Sequence, residues 1–255
     1  MDVILHAISD VGLVRSNNED IAVVGDALVR DGAISRRLPA DTGGPRIFGV
    51  ADGVGGANSG EIASRKAAVG VLRGLEALGP ETDPRELPRR LSALAEEVHA
   101  DILSQASGSR RHDGMATTLS ALIVYRRELT LLHAGDSRVY RLRNGALQQL
   151  SRDHTVRAMT NNPAIPGNIL ANCFGVSSGF FIDVNSVGRV DDFDDLYLIC
   201  SDGLSDLLEH EEMERIMVME EGLPIIAERL IALANAAGGR DNITLVLARA
   251  DSNGS

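Results

Sequence analysis

The chain has no tryptophan, only 3% aromatic residues and only two cysteines. Leu, Ile, Val and Ala must therefore fill any core. Cys173 and Cys200 lack CxxC spacing and sit among apolar neighbours. Buried free thiols are the expectation, which fits a reducing cytoplasm. No stretch approaches the ~18 apolar residues of a membrane span. The first residues, MDVILHAISDVG, carry an acid at position 2 and no apolar run of signal-peptide length. A basic stripe is missing too: the 255 residues carry a net charge of −11, which argues against a nucleic-acid partner. The expectation is a soluble cytoplasmic protein that binds neither nucleic acid nor membrane. If its acids cluster in a cleft, they repel phosphate unless metal ions sit there.

Apolar periodicity then gives the elements. Strands are expected at 3–8, 21–29 and 46–51, with Asp31-Gly32 as a hairpin turn and 35–45 as a flexible loop. Asn58 with Glu61, and Asp83-Pro84 with Glu86, resemble helix starts. Leu87, Leu91, Leu94, Val98 and Ile102 form one helical stripe. Strands at 117–125, 128–134 and 139–143, joined by short links, read as an antiparallel meander. Residues 151–172 read as irregular. Strands return near 181–187, 196–200 and 243–250. Helices are expected near 204–220 and 223–237, the latter with Ile226, Leu230, Leu233 and Ala234 on one face. Long helices between hairpin-linked strands predict an α+β domain with antiparallel sheets covered by helices. One domain over 1–250 and a frayed tail over 251–255 are expected.

The informative pattern is where aspartates fall. Asp52, Asp136, Asp202 and Asp241 follow or interrupt apolar strands, and Asp20 precedes one. Asp beside Gly at a strand end is ordinarily a turn residue. Five such residues tied to strands point further, because strand ends are rigid mounts on which carboxylates can converge. Converging carboxylates need raised pKa values or cations. Oxygen-only donors select hard ions such as Mg²⁺, Mn²⁺ or Ca²⁺. The histidines show no metal spacing, and His133 reads as a core or strand residue.

At this point the sequence resembles the metal-dependent protein phosphatases, the protein phosphatase 2C family, from about Ile4 to Arg249. The blocks are SDVGLVRSNNED at 9–20, VADGVGG at 50–56, GMATTLSAL at 114–122, HAGDSRVYRL at 133–142, LSRDHT at 150–155, SDGLSD at 201–206 and GGRDNITLV at 238–246. Each is weak alone; in this order they are specific. The resemblance implies two antiparallel sheets packed as a central sandwich flanked by helices, in α-β-β-α layers. It implies a phosphoserine/phosphothreonine phosphatase using two Mn²⁺ or Mg²⁺ ions, with a third, weaker ion in bacterial members. Asp52 is expected to bridge two ions and Gly53 to offer its carbonyl. Asp202 and Asp241 complete one ion, and Asp20, in preference to Glu19, lies beside the other. Asp136 helps hold the third. Arg15 grips the substrate phosphate, a role its forked donors suit. The implied reaction is direct attack on phosphorus by a metal-activated water, without a phosphoenzyme. His154 reads as a supporting residue.

Three departures from the family pattern matter. Val54 stands where animal members carry a histidine proposed as general acid. Ala116 stands in GMATT where GMGTT is common. Residues 156–169, rich in Asn and Pro, are shorter than the usual bacterial flap, which bears on Asp136's ion and on substrate preference. The expected partners are phosphoproteins and a cognate Ser/Thr kinase, with a monomeric enzyme; a place in type VI secretion control is suggested by its size. A phosphoprotein-binding regulator without activity and a small-molecule phosphatase are the alternatives.

Overall fold

A computed structural model describes residues 1–55, 59–108, 114–177, 179–190, 194–219 and 221–251. One six-stranded sheet has the order β11 (Ala146–Gln149), β10 (Arg138–Arg143), β13 (Leu196–Cys200), β14 (Ile243–Ala250), β1 (Asp2–Asp10) and β4 (Gly32–Pro39). The second has the order β12 (Asp183–Arg189), β9 (Glu128–Ala134), β8 (Leu119–Tyr125), β5 (Arg46–Ala51), β2 (Ile21–Val24) and β3 (Ala27–Val29). Every ladder in both sheets is antiparallel. β6 (Gly53–Val54) and β7 (Ala116–Thr117) form a small ribbon between them and α1 (Ser59–Leu78).

Side-chain alternation creates the layers. On β8, Leu119, Ala121, Ile123 and Tyr125 join Ala67 and Val71 of α1 and Leu91 and Val98 of α2 (Leu87–Ser107). Leu122 and Val124, between them, face the first sheet with Phe48 and Val50. On β14, Val246 and Ala248 meet that same inner core. Leu245 and Leu247 pack outward with Leu230 and Ala234 of α6 (Leu223–Ala236). Period-two strands with both faces apolar can only be buried on both sides, so helix, sheet, sheet and helix stack as expected. Phe48 is fully buried between the sheets; truncating it to alanine costs about 3–5 kcal/mol.

Several expectations are corrected. The 117–143 meander is split: β8 and β9 pair, but β10 crosses to the other sheet and pairs β13. Asp31-Gly32, with Asp31 at φ 57, turns a corner between sheets rather than a hairpin. The expected loop at 35–45 begins as strand β4, paired along β1. Residues 21–29 fold as two strands, β2 and β3. The 204–220 helix is two: α4 (Asp202–Ser205) and α5 (His210–Met217), the second restarted by a Glu209/Glu212 capping box. Leu233 is 43% exposed, whereas Ile231 is buried. A short helix, α3 (Val156–Thr160), stands in the irregular segment. Asp83 heads a turn and α2 starts at Leu87. Asp251 is buried and its N–H donates to Asp2 O at 2.8 Å, so the chain is still anchored where fraying was expected. Asn58 and residues 252–255 lie outside the described residues. Cys173 and Cys200 are free and buried, as expected. Among the described residues no helix is long and apolar enough to cross a membrane.

Candidate metal centre

The carboxylates sit where strands end. Asp52 leaves β5 and is clamped by the β7–β8 junction. Its N–H donates to Thr118 Oγ1 at 3.0 Å, and its carbonyl accepts from Thr118 N and Thr117 Oγ1. Thr118 Oγ1 also meets Ser137 Oγ at 2.7 Å, next to Asp136 in the β9–β10 link. Asp202 opens α4 directly after β13. Asp241 precedes β14, and Asn242 N–H donates to its Oδ1 at 2.9 Å. Asn242 ties this corner to the 11–19 loop. It donates to Val11 O and Asn17 O and accepts from Glu19 N.

Two glycines permit these corners to touch. A side chain on Gly53 would meet Gly60 O at 2.2 Å, and one on Gly203 would meet Asn242 O at 2.0 Å. The first contact seats α1 on the Asp52 corner. The second seats α4 against the Asp241 strand.

Asp52, Gly53, Asp136, Asp202, Asp241 and Arg15 line one open cavity of about 670 Å³, together with Glu19, Val54, Gly55, Asn168, Ile169 and Leu170. Asp20 does not line it. That carboxylate is buried, and its Oδ2 has no hydrogen-bond partner. Burial pushes Asp20 up to about 7; the Ser201 and Thr244 hydroxyls hold it down in part, and Asp202 and Asp241 push it further. Asp52 is held well above the carboxylate range by burial and by Asp20, Asp202 and Asp136. Burial, with Asp202 and Asp153, raises Asp136 to about 7. Burial, Asp206 and Asp241 raise Asp202 to about 6 against a hydrogen bond from Asp52. Such mutual repulsion is what a cation relieves.

A family model described as protein phosphatase 2C matches residues 39–229. The chain belongs to the protein phosphatase 2C family. It is 33% identical to the serine/threonine protein phosphatase PstP of Mycobacterium tuberculosis over 94% of its length, spanning 43% of that relative. It is equally identical to the serine/threonine phosphatase stp of Listeria innocua, over 94% of this chain and 92% of that one. A solved structure of the catalytic domain of PstP in complex with two manganese ions superposes with a TM-score of 0.75 at 31% identity, covering 98% of this chain and 99% of that one.

Does this phosphatase 2C chain's own site suit such ions? Its donors are oxygens, anionic and mutually repelling, and Asp20 Oδ2 is an orphan. That chemistry fits hard divalent cations. Among the described residues, no three acidic, histidine or cysteine side chains stand in ligand positions around one point. Arg15 Nη2 instead holds Asp241 Oδ2 at 2.6 Å.

Sequence reasoning placed Arg15, Asp52, Gly53, Asp136, Asp202 and Asp241 together, and the cavity does bring them together. Glu19 lines the same cavity, and Asp20 lies next to it in sequence with its carboxylate buried. Glu19 and Asp20 both precede β2, which starts at Ile21, so strand alternation assigns neither of them to the cavity. Asp206 was missed: it lines an adjoining cavity with Asp136, Asp153 and Asp202. Asn242 was missed as the tether. Its only signal was the DN pair itself. His133 is buried in β9, as expected. His154 supports the Asp136 turn: its Nδ1 accepts from Gly135 N–H and Asn172 Nδ2, while its Nε2 meets Asp183 Oδ2 at 3.1 Å.

Proposed function

We propose that this chain is a divalent-metal-dependent phosphatase of phosphoserine and phosphothreonine in proteins. The observation that carries the reading is one cavity in which Arg15 meets Asp52, Asp136, Asp202 and Asp241, four carboxylates from strand ends remote in sequence. Asp52, Asp202, Asp241 and the Gly53 carbonyl are the residues that would hold two Mn²⁺ or Mg²⁺ ions. Glu19 and the buried Asp20 flank them, and Asp136 would serve a weaker third ion. The two manganese ions in the PstP structure, and the phosphatase names of PstP and stp, support this assignment.

When bound, such an ion pair supplies Lewis acidity: it lowers the pKa of water toward neutrality and offsets phosphate charge. The chain's residues do the rest. The Arg15 fork binds two phosphate oxygens and fixes the phosphoryl group for in-line attack. The ends of β5 and β13 fix the backbone from which Asp52 and Asp202 project. Val54 has no ionisable group, so the departing serine oxygen takes its proton from water or from another group of the site.

The reading extends to one phosphatase domain over 1–250, acting as a monomer in the cytoplasm against a Ser/Thr kinase. Its link to type VI secretion rests on size alone, and neighbouring genes test it. The function itself is tested by phosphate release from a phosphothreonine peptide and from a sugar phosphate, each with Mn²⁺ and with chelator. Metal-dependent release that favours the peptide is expected. Metal-independent release, or tight peptide binding without release, overturns the proposal.

A further inference from the structure

The cavity wall is not uniformly polar. Val54 and Ile169 line it, yet they are 41% and 44% exposed, and Leu170 sits beside them half-buried. Large aliphatic side chains left in water around an otherwise anionic cavity are a feature to explain, since the informative surface residue is an apolar one that groups with others.

These side chains are held in place. Val54 lies on β6, paired with Ala116 of β7. Ile169 O accepts from Val156 N–H at 2.8 Å, Leu170 bridges to Thr155, and Ala171 N–H donates to His154 O at 2.8 Å. The shortened segment 156–169 thus ends in an aliphatic lip pinned by backbone bonds on both sides. A fixed lip buries an incoming side chain without first losing its own conformational freedom.

The lip shares its cavity with Arg15, which would hold the phosphate. A phosphoryl group alone reaches the carboxylate floor and leaves the lip in water. In a peptide, each neighbour of the phosphorylated residue lies one step of about 3.5 Å along the chain, within reach of the rim. Resting on the phosphatase reading above, we infer that Val54, Ile169 and Leu170 form a specificity lip selecting phosphoserine or phosphothreonine with aliphatic residues immediately beside it. An aliphatic neighbour sheds water against the lip; a small neighbour leaves the lip wet.

The test compares two phosphothreonine peptides that differ only in the residues flanking the phosphothreonine, both Leu or both Ala, as substrates with Mn²⁺. The Leu peptide is expected to show a kcat/KM about ten-fold higher, carried mostly by KM, the scale of discrimination by a partly enclosed apolar contact. The double variant Val54→Ser with Ile169→Ser is expected to bring the ratio of the two peptides to within about two-fold of unity. Because both positions are exposed, its thermal unfolding should match the wild type. Equal kcat/KM for the two peptides in the wild type, or an unchanged ratio in the double variant, overturns the lip. Release from neither peptide instead overturns the phosphatase reading on which the lip depends.

Discussion

Arg15 Nη2 donates to Asp241 Oδ2 at 2.6 Å, joining residues 226 positions apart. The group proposed to hold phosphate and a carboxylate proposed to hold metal are thus engaged with each other. Both are largely exposed, at 51% and 40% of their side chains, and such pairs contribute only about 0–1 kcal/mol. Little stability would therefore be lost if Asp241 turned to a divalent cation and the Arg15 fork to a phosphate.

Removing that fork should weaken the phosphatase without unfolding it. Arg15→Ala is expected to lower kcat/KM for a phosphothreonine peptide about 100-fold, the loss of two charge-assisted hydrogen bonds. Arg15→Lys should recover little of it, because an ammonium lacks the paired donors. Steady-state kinetics with thermal unfolding as control checks this; an active Arg15→Ala enzyme contradicts the assignment.

Asp52→Asn and Asp202→Asn should move activity and metal-free stability in opposite directions. Each carboxylate is buried against like charges, which raise its pKa. A neutral amide removes that repulsion, and the chelator-treated variants should gain about 1–3 kcal/mol against urea. Phosphate release should fall by at least about 100-fold. Variants that are both active and less stable than wild type would refute the proposed repulsion.

The pH dependence of the metal-free protein has a definite sign. Asp20 and Asp136 are raised to about 7 and Asp202 to about 6, all above the ordinary value of 3.8. From about pH 4 to 7 the folded chain therefore binds more protons than the unfolded one, and these groups make stability fall as pH rises. Their contribution is fully present below about pH 4 and gone above about 7. Urea midpoints in chelator should be lower at pH 8 than at pH 5. Saturating Mn²⁺ at pH 8 should raise the midpoint, since cations replace the protons. A higher metal-free midpoint at pH 8 contradicts this account.

Asn242→Ala tests the tether. It leaves Val11 O, Asn17 O and Glu19 N without their partner in a partly buried setting. A loss of about 2–4 kcal/mol follows from three unmet groups. Manganese affinity should fall about 10- to 100-fold, the usual consequence of losing a residue that orients ligands. Calorimetry measures both; unchanged manganese affinity would show that the 11–19 loop does not position the site.

Much of this was legible in the chain before folding. Continuous apolar runs such as 46–51, 128–134 and 196–200 gave strands at the observed bounds, because a strand buried on both faces has little else to be. Partners were less legible. Nothing in the spacing of 117–143 says that β10 leaves β9 for β13, because sheet exchange depends on what packs across the sandwich. β4 was hidden by Arg36, Arg37 and Pro39, residues tolerated there since it pairs only along β1 at the sheet edge. The Asp positions could be read because each sits beside a strong strand. The choice between Glu19 and Asp20 could not, because both lie in the loop before β2, where no strand period applies.

Everything proposed for this chain requires that these carboxylates together hold a pair of cations. Calorimetric titration of the chelator-treated chain with Mn²⁺ tests it most directly. Two ions should bind the wild-type chain, with proton release, and Asp52→Asn should lose that binding. Absence of binding by the wild type, or identical binding by Asp52→Asn, would contradict it.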